Sequence, residues 1–191
     1  MTRRTCETFT MDEPNIDEAL EAARGGAEWA ISILFQSIQP DLLRFLSYRA
    51  RDVADDLASE TWLAVAQSLP QFFGSISEFR ALLFTIARRR VIDHYRKQAR
   101  QPSPVPLSEI DDSRSSDDVA DHVIEAISSQ QAIDRLIAKL PDSQAEVIIL
   151  RVVAGLSSDE VAKVTGRSAG AVRVLQHRAL ARLVKEFSPK L

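Results

Sequence analysis

In this 191-residue chain the side chains placed to do chemistry are arginines, and the chemistry they suit is recognition of phosphates and base edges. Catalysis or metal binding asks for convergent acids, imidazoles or thiols, and none converge along the sequence. His94, His122 and His177 have no ligand spacing with one another or with Cys6. The glycines form neither a phosphate loop nor a dinucleotide fingerprint, and Asp55-Asp56 and Asp111-Asp112 lack the glycine of a calcium loop. We therefore expect no enzyme activity, no metal and no cofactor. The sharpest pattern is Leu156 to Leu183, LSSDEVAKVTGRSAGAVRVLQHRALARL. Ser157 and Glu160 make an S-x-x-E capping box, Gly155 is placed to end the helix before it, and Gly166 allows a tight turn without a Cβ clash. Val161, Ala162 and Val164 would face inward on the first helix. Ser168 can cap the second, whose buried seam would be Val172, Leu175, Ala179 and Leu183. The other face offers Arg167, Ser168, Ala169, Arg173, Gln176, His177 and Arg178. Small residues at its N-terminal end admit the helix to a major groove, where arginines reach guanine edges or phosphates. A surface helical hairpin with solvated arginines fits this segment too.

A second basic stretch lies earlier. FRALLFTIARRRVIDHYRKQAR carries Arg88, Arg89 and Arg90 on successive faces, then Arg96, Lys97 and Arg100, with His94 and Tyr95 among them. Such a helix can track phosphates and stack on bases. The loop before it holds Phe72 and Phe73, either a surface for an unpaired base or simply core. Net charge is -3, but the charge is not evenly spread. Ile86 to Gln101 has six basic residues against Asp93, and Lys163 to Leu191 has seven against Glu186. Between them, Val105 to Glu125 sets seven acids against Arg114 alone. Two basic modules thus flank an acidic connector, which the overall charge conceals.

Helical periodicity and absent β-alternation predict an all-α fold of two small helical domains joined by a flexible acidic linker. Residues 1–26 read as a tail and a short helix capped by Asn15 or Asp17 and ended by Gly25-Gly26. Residues 27–100 read as one domain. Its first helix should break or kink at Pro40; a second spans about Val53 to Leu69, and the basic helix spans about Glu78 to Arg100. Residues 101–121, PSPVP and then a Ser/Asp run, form the linker. Residues 122–191 form the second domain, with a helix over about Val123 to Lys139, an apolar one over Ser143 to Ala154, and the helix-turn-helix. Cys6 is alone, so no internal disulfide forms and a reducing compartment is the default. No signal peptide and no apolar run of the ~20 residues that span a bilayer is present, so the protein is expected in the cytoplasm without membrane insertion.

The chain resembles bacterial RNA polymerase sigma factors of the extracytoplasmic-function group, within the sigma-70 family. DVADDLASETW (Asp52 to Trp62) and FRALLFTIARRRVIDHYR (Phe79 to Arg96) stand where that family reads D-A-E-D-L-x-Q-E-T-F and F-R-x-W-L-x-x-I-A-R-N-x-x-x-D-x-x-R. LPDSQAEV, DEVA and AVRVLQHRA stand where it reads L-P-x-x-x-R-E-V, an E-I-A helix and T-V-K-S-R-L-H-R-A. The likeness runs collinearly over roughly Ala27 to Lys185. Leu82 replaces a common tryptophan, Arg90 a common asparagine, Ala145 a frequent arginine, and Val174-Leu175-Gln176 a Ser-Arg-Leu.

The resemblance implies a transcription initiation factor that binds core RNA polymerase and promoter DNA. The helix holding Asp55, Asp56, Leu57 and Glu60 would dock on a coiled coil of the polymerase. Phe72 and Phe73, with Arg88, Arg89, Arg90, Tyr95, Arg96 and Lys97, would open the minus-ten element, and the helix-turn-helix would read the minus-thirty-five element. A cognate anti-sigma factor is expected, as is a monomer when free. The rival from the residues is a free-standing helix-turn-helix regulator, which would need no basic helix over Phe79 to Arg100 and usually binds as a dimer. A helical adaptor that sequesters a protein partner is the third reading.

Overall fold

The computed structural model describes residues 15–100 and 135–187, and every regular element among them is helical. The expected tail, the acidic linker and most of the helix expected over Val123 to Lys139 lie outside those residues. Helix α1 (Ile16–Arg24) is capped by Asn15, whose side chain accepts from the Asp17 N–H, and stops at Gly25. Helix α2 (Glu28–Ala50) continues through Pro40, so the chain does not break there. A proline inside a helix costs about 3 kcal/mol. Here the buried stripe Leu34, Ile38, Leu42, Phe45 and Leu46 continues on both sides of Pro40, and packing of one apolar face outweighs the lost hydrogen bond.

Helix α3 (Ala54–Ser68) sits between 3-10 turns at Arg51–Val53 and Leu69–Gln71. Helix α4 (Ile76–Arg100) begins two residues earlier than its periodicity suggests. Ser75 and Glu78 form a capping box there: the Ser75 N–H donates to Glu78 Oε2 (3.0 Å) and the Glu78 N–H to Ser75 Oγ (3.3 Å). Helices α1 to α4 share one core, in which Phe45 and Phe84 meet edge to face at 5.6 Å. Arg80 ties α4 to Asp41 of α2 at 2.7 Å. Burial raises the Asp41 carboxyl against the opposing pull of that guanidinium.

The second half holds α5 (Asp142–Ile148), α6 (Ser158–Thr165) and α7 (Ala169–Phe187). The apolar helix expected over Ser143 to Ala154 is α5 followed by a π turn at Ile149–Val153. Arg151 closes that wider turn by donating to the Leu156 carbonyl. Gly155 (φ 67°) follows it, as expected of a helix end. Val147, Leu150, Leu156, Val161, Val172 and Ala179 are buried between α5, α6 and α7. Helix α6 also packs on α4, so the two halves touch directly.

Candidate nucleic-acid interface

The helix-turn-helix is built by the residues that signal it. The Ser157 side chain accepts from the Glu160 N–H (3.2 Å) while Glu160 accepts from the Ser157 N–H (2.7 Å). Gly166 adopts a left-handed φ of 69°, where a side chain would be strained. Ser168 Oγ accepts from the Ala171 N–H (3.2 Å) at the start of α7. Val161 and Val164 are buried and Ala162 half-buried. Val172 and Ala179 are fully buried, whereas Leu175 and Leu183 are half-buried. Arg167, Ser168, Arg173, His177 and Arg178 are exposed; Ala169 is half-buried beside exposed Gly170 and Ala171. A narrow, small-residue entry flanked by arginines is what a major groove accepts. Gln176 is half-buried and accepts from Arg151 Nε (3.1 Å), so it is engaged within the protein.

The loop before α4 separates its two phenylalanines. Phe72 is half-buried, packed edge-on against Phe79 at 5.7 Å. Phe73 is 85% exposed. Phe72 therefore packs against the core, and Phe73 is the exposed ring of the pair. Gly74 between Phe73 and Ser75 is required by space, because a Cβ there would sit 2.6 Å from the Phe72 ring.

Along α4 the arginines differ in their engagement. Arg89, Arg96, Lys97 and Arg100 are exposed, with Arg96 3.7 Å from Asp93. Arg90 stands 3.7 Å from Glu60 of α3, and the two helices bound a polar groove of about 390 Å³ that also takes in His94 and Lys97. Arg88, expected free for DNA, instead pairs with Glu146 of α5 at 3.0 Å, and that carboxylate is only 3% exposed. The Tyr95 hydroxyl donates to the Arg49 carbonyl (2.6 Å) while its ring lies against His94 at 5.4 Å. Two further bonds link the halves. Ser77 donates to Glu160, and the Tyr48 hydroxyl donates to Asp142 at 3.4 Å. Burial, then Asp142, pushes the Tyr48 hydroxyl up to about 12.

On α3, Asp55, Asp56 and Glu60 are exposed, and Asp55 and Asp56 occupy the first turn, where the helix dipole favours carboxylates. Leu57 is 4% exposed and lies inward with Ala54 and Ala58. Grouped with the three carboxylates in the sequence, it lies beneath their exposed face rather than on it. Leu63, not singled out in the sequence, is 67% exposed on the same helix. Asp56, Glu60 and Leu63 follow i, i+4, i+7 on one stripe. Phe35 of α2 is also exposed, meets Trp62 of α3 at 5.2 Å, and Trp62 donates to Gln39 (2.6 Å).

A helix-turn-helix following a helical domain with a basic surface helix defines a two-part helical DNA-binding class. The pattern described as Sigma-70 region 2 matches residues 34–101, and that described as Sigma-70, region 4 matches residues 130–183. The chain is 33% identical over 186 residues to the ECF RNA polymerase sigma factor SigD of Mycobacterium tuberculosis, covering 94% of this chain and 87% of that one. Its fold is similar to CnrH, solved in complex with the cytosolic domain of CnrY, with a TM-score of 0.59 at 23% identity over 90% of this chain and 96% of that one. It is also similar to the sigma factor RpoE of Bartonella quintana, solved with the anti-sigma factor NepR, at a TM-score of 0.56 and 23% identity over 81% and 97%. The chain belongs to the ECF RNA polymerase sigma factors of the sigma-70 family. It is accordingly a transcription factor and not an enzyme. Among the described residues no helix is long and apolar enough to cross a membrane.

Proposed function

We propose that the chain directs core RNA polymerase to promoters by dividing the work among three surfaces. Asp55, Asp56 and Glu60, with Leu63, dock on the polymerase, where carboxylates facing a basic partner steer encounter and fix register. Phe73 and the outward cations of α4, Arg89, Arg96 and Lys97 with Arg88 and Arg90 once released, grip and open the minus-ten element. The exposed face of α7 reads the minus-thirty-five element as duplex. Residues 27–100 and 122–191 act as the two units, joined by the acidic linker 101–121, and the protein works in the cytoplasm beside polymerase. A cognate anti-sigma factor is its second protein partner, a reading supported by the complex in which the Bartonella relative was solved.

The observation that carries this reading is that a row of cations on α4, and an exposed phenylalanine in the loop that leads into it, lie apart from the helix-turn-helix. A free-standing regulator has no use for them. Opening duplex costs roughly 1.4 kcal/mol per stacked step, more than a few arginines offset without polymerase. The test is permanganate footprinting with reconstituted holoenzyme. Replacing Arg88 and Arg89 by alanine, with Glu146→Gln added so that no buried carboxylate is orphaned, should leave core binding intact and abolish opening of a duplex promoter. A pre-melted bubble should restore much of the transcription. Full opening of duplex DNA by this variant would remove the melting role.

A further inference from the structure

The loop that presents Phe73 is held by a residue outside the matched sigma-70 regions. Arg24, the last residue of α1, reaches across to it. Its Nη2 donates to the Gly74 carbonyl at 2.7 Å. Its guanidinium carbon lies 5.8 Å from the centre of the Phe72 ring and 5.7 Å from that of Phe73, within cation–π range of both. Glu21, one turn back on α1, accepts from Nη1 with both oxygens at 2.6 Å and anchors that end of the guanidinium with a charge-assisted bond. The Arg24 side chain is 13% exposed, and its Nε is buried without a hydrogen-bond partner. An apolar cavity of about 150 Å³, walled by Arg24, Trp62 and Phe79 among others, lies alongside. Without the guanidinium, the favourable move for an exposed phenyl ring is inward, toward apolar surface.

We propose that Arg24 is a positioning residue for base capture: clamped by Glu21, it holds the Gly74 carbonyl and keeps the Phe73 ring presented to the displaced strand. This rests on the reading that the loop captures a base. The geometry also explains why lysine would not substitute, since a single ammonium cannot span both phenyl faces while bonding Gly74 and Glu21.

The test has a structural arm and a functional arm on the same full-length variants, Arg24→Ala, Arg24→Lys and Phe73→Ala, with thermal melts to confirm folding. In the free protein, hydrogen exchange at the amides of Phe72 to Ser77 should rise about tenfold or more in both Arg24 variants, the loss expected for a charge-assisted hydrogen bond. Protection in α2 and α3 should not change. In holoenzyme on a pre-melted promoter, a 2-aminopurine at each minus-ten position in turn reports the extruded base. Arg24→Ala and Phe73→Ala should both lose that signal, while core affinity stays within about twofold and Arg24→Lys stays defective. Unchanged exchange in the loop would overturn the clamp, whatever the loop does. Raised exchange with a normal 2-aminopurine signal in Arg24→Ala, but a lost one in Phe73→Ala, would overturn the positioning role. Normal signals in Phe73→Ala as well would remove the base-capture reading itself, and the inference with it.

Discussion

Side chains that look equivalent in the sequence differ in what the fold leaves free. Arg173 and Arg178 are exposed on α7, whereas Gln176 is bonded to Arg151 and Leu175 is half-buried. Of the Val174-Leu175-Gln176 departure from the family pattern, only Val174 is well exposed, at 49%, and a valine there suits a thymine methyl better than a phosphate. Ala145, where arginine is frequent, is fully buried, so this packing admits only a small side chain. Arg173→Ala should cost about 1–3 kcal/mol and relax specificity at one promoter position if it contacts a guanine. Gel-shift titration across single-base variants of the minus-thirty-five duplex checks this, and equal weakening on all of them would reduce Arg173 to a phosphate contact. Asp56→Lys should weaken holoenzyme assembly by ~2 kcal/mol where the pair is desolvated, and by far less at a wet rim. Fluorescence titration with core polymerase measures it; the affinity for minus-thirty-five duplex should not change.

At the scale of elements, helix ends do most of the positioning. Capping boxes start α4 and α6, and Glu160 serves both its own box and the Ser77 hydroxyl at the head of α4. Burial pushes the Glu160 carboxyl up, but bonds from Ser77 and Ser157, with Lys163 nearby, outweigh that and hold it below the ordinary glutamate range. The sign follows from linkage. The unfolded chain takes up the proton first, so the stabilisation is whole above about pH 4.3 and is lost as the pH falls through the lowered folded value. Melting curves of wild type and Glu160→Gln should therefore differ most near neutrality and converge in acid. A gap that widens on acidification would contradict the assignment. Helix α2 makes the opposite point about local rules, since Pro40 forbids a helix locally and the buried stripe on both sides enforces one.

At the scale of the whole molecule, helix α6 packs on α4, and Arg88 is spent on Glu146. Promoter elements named minus ten and minus thirty-five lie roughly 25 base pairs, or about 85 Å, apart at 3.4 Å per step. On the function proposed above, with α4 and α7 each facing one element, the packed arrangement of the two halves is too short for that distance, and binding both elements would require the α4–α6 contact to open. Glu146→Gln should loosen it, with a cost of about 1–3 kcal/mol because Arg88 keeps a quarter of its side chain in water. Small-angle scattering of the free full-length protein should show a larger radius of gyration for this variant. Equal radii at matched salt would mean that the pair does not hold the halves together.

The sequence by itself determined the helical class, the helix-turn-helix and the family. Each rests on local signals: 3.6-residue periodicity, the Ser157–Glu160 capping box at its fixed offset, Gly166 at a left-handed turn, and motifs in collinear order. Which charges are available was decided only in three dimensions. Arg88 and Arg90 find Glu146 and Glu60, Phe72 turns to the core while Phe73 does not, and Arg24 reaches a loop 50 residues away. Periodicity fixes which face of a helix a residue occupies. It carries no information about which distant element arrives opposite that face, and ion pairs, ring contacts and clamps are set by that arrival.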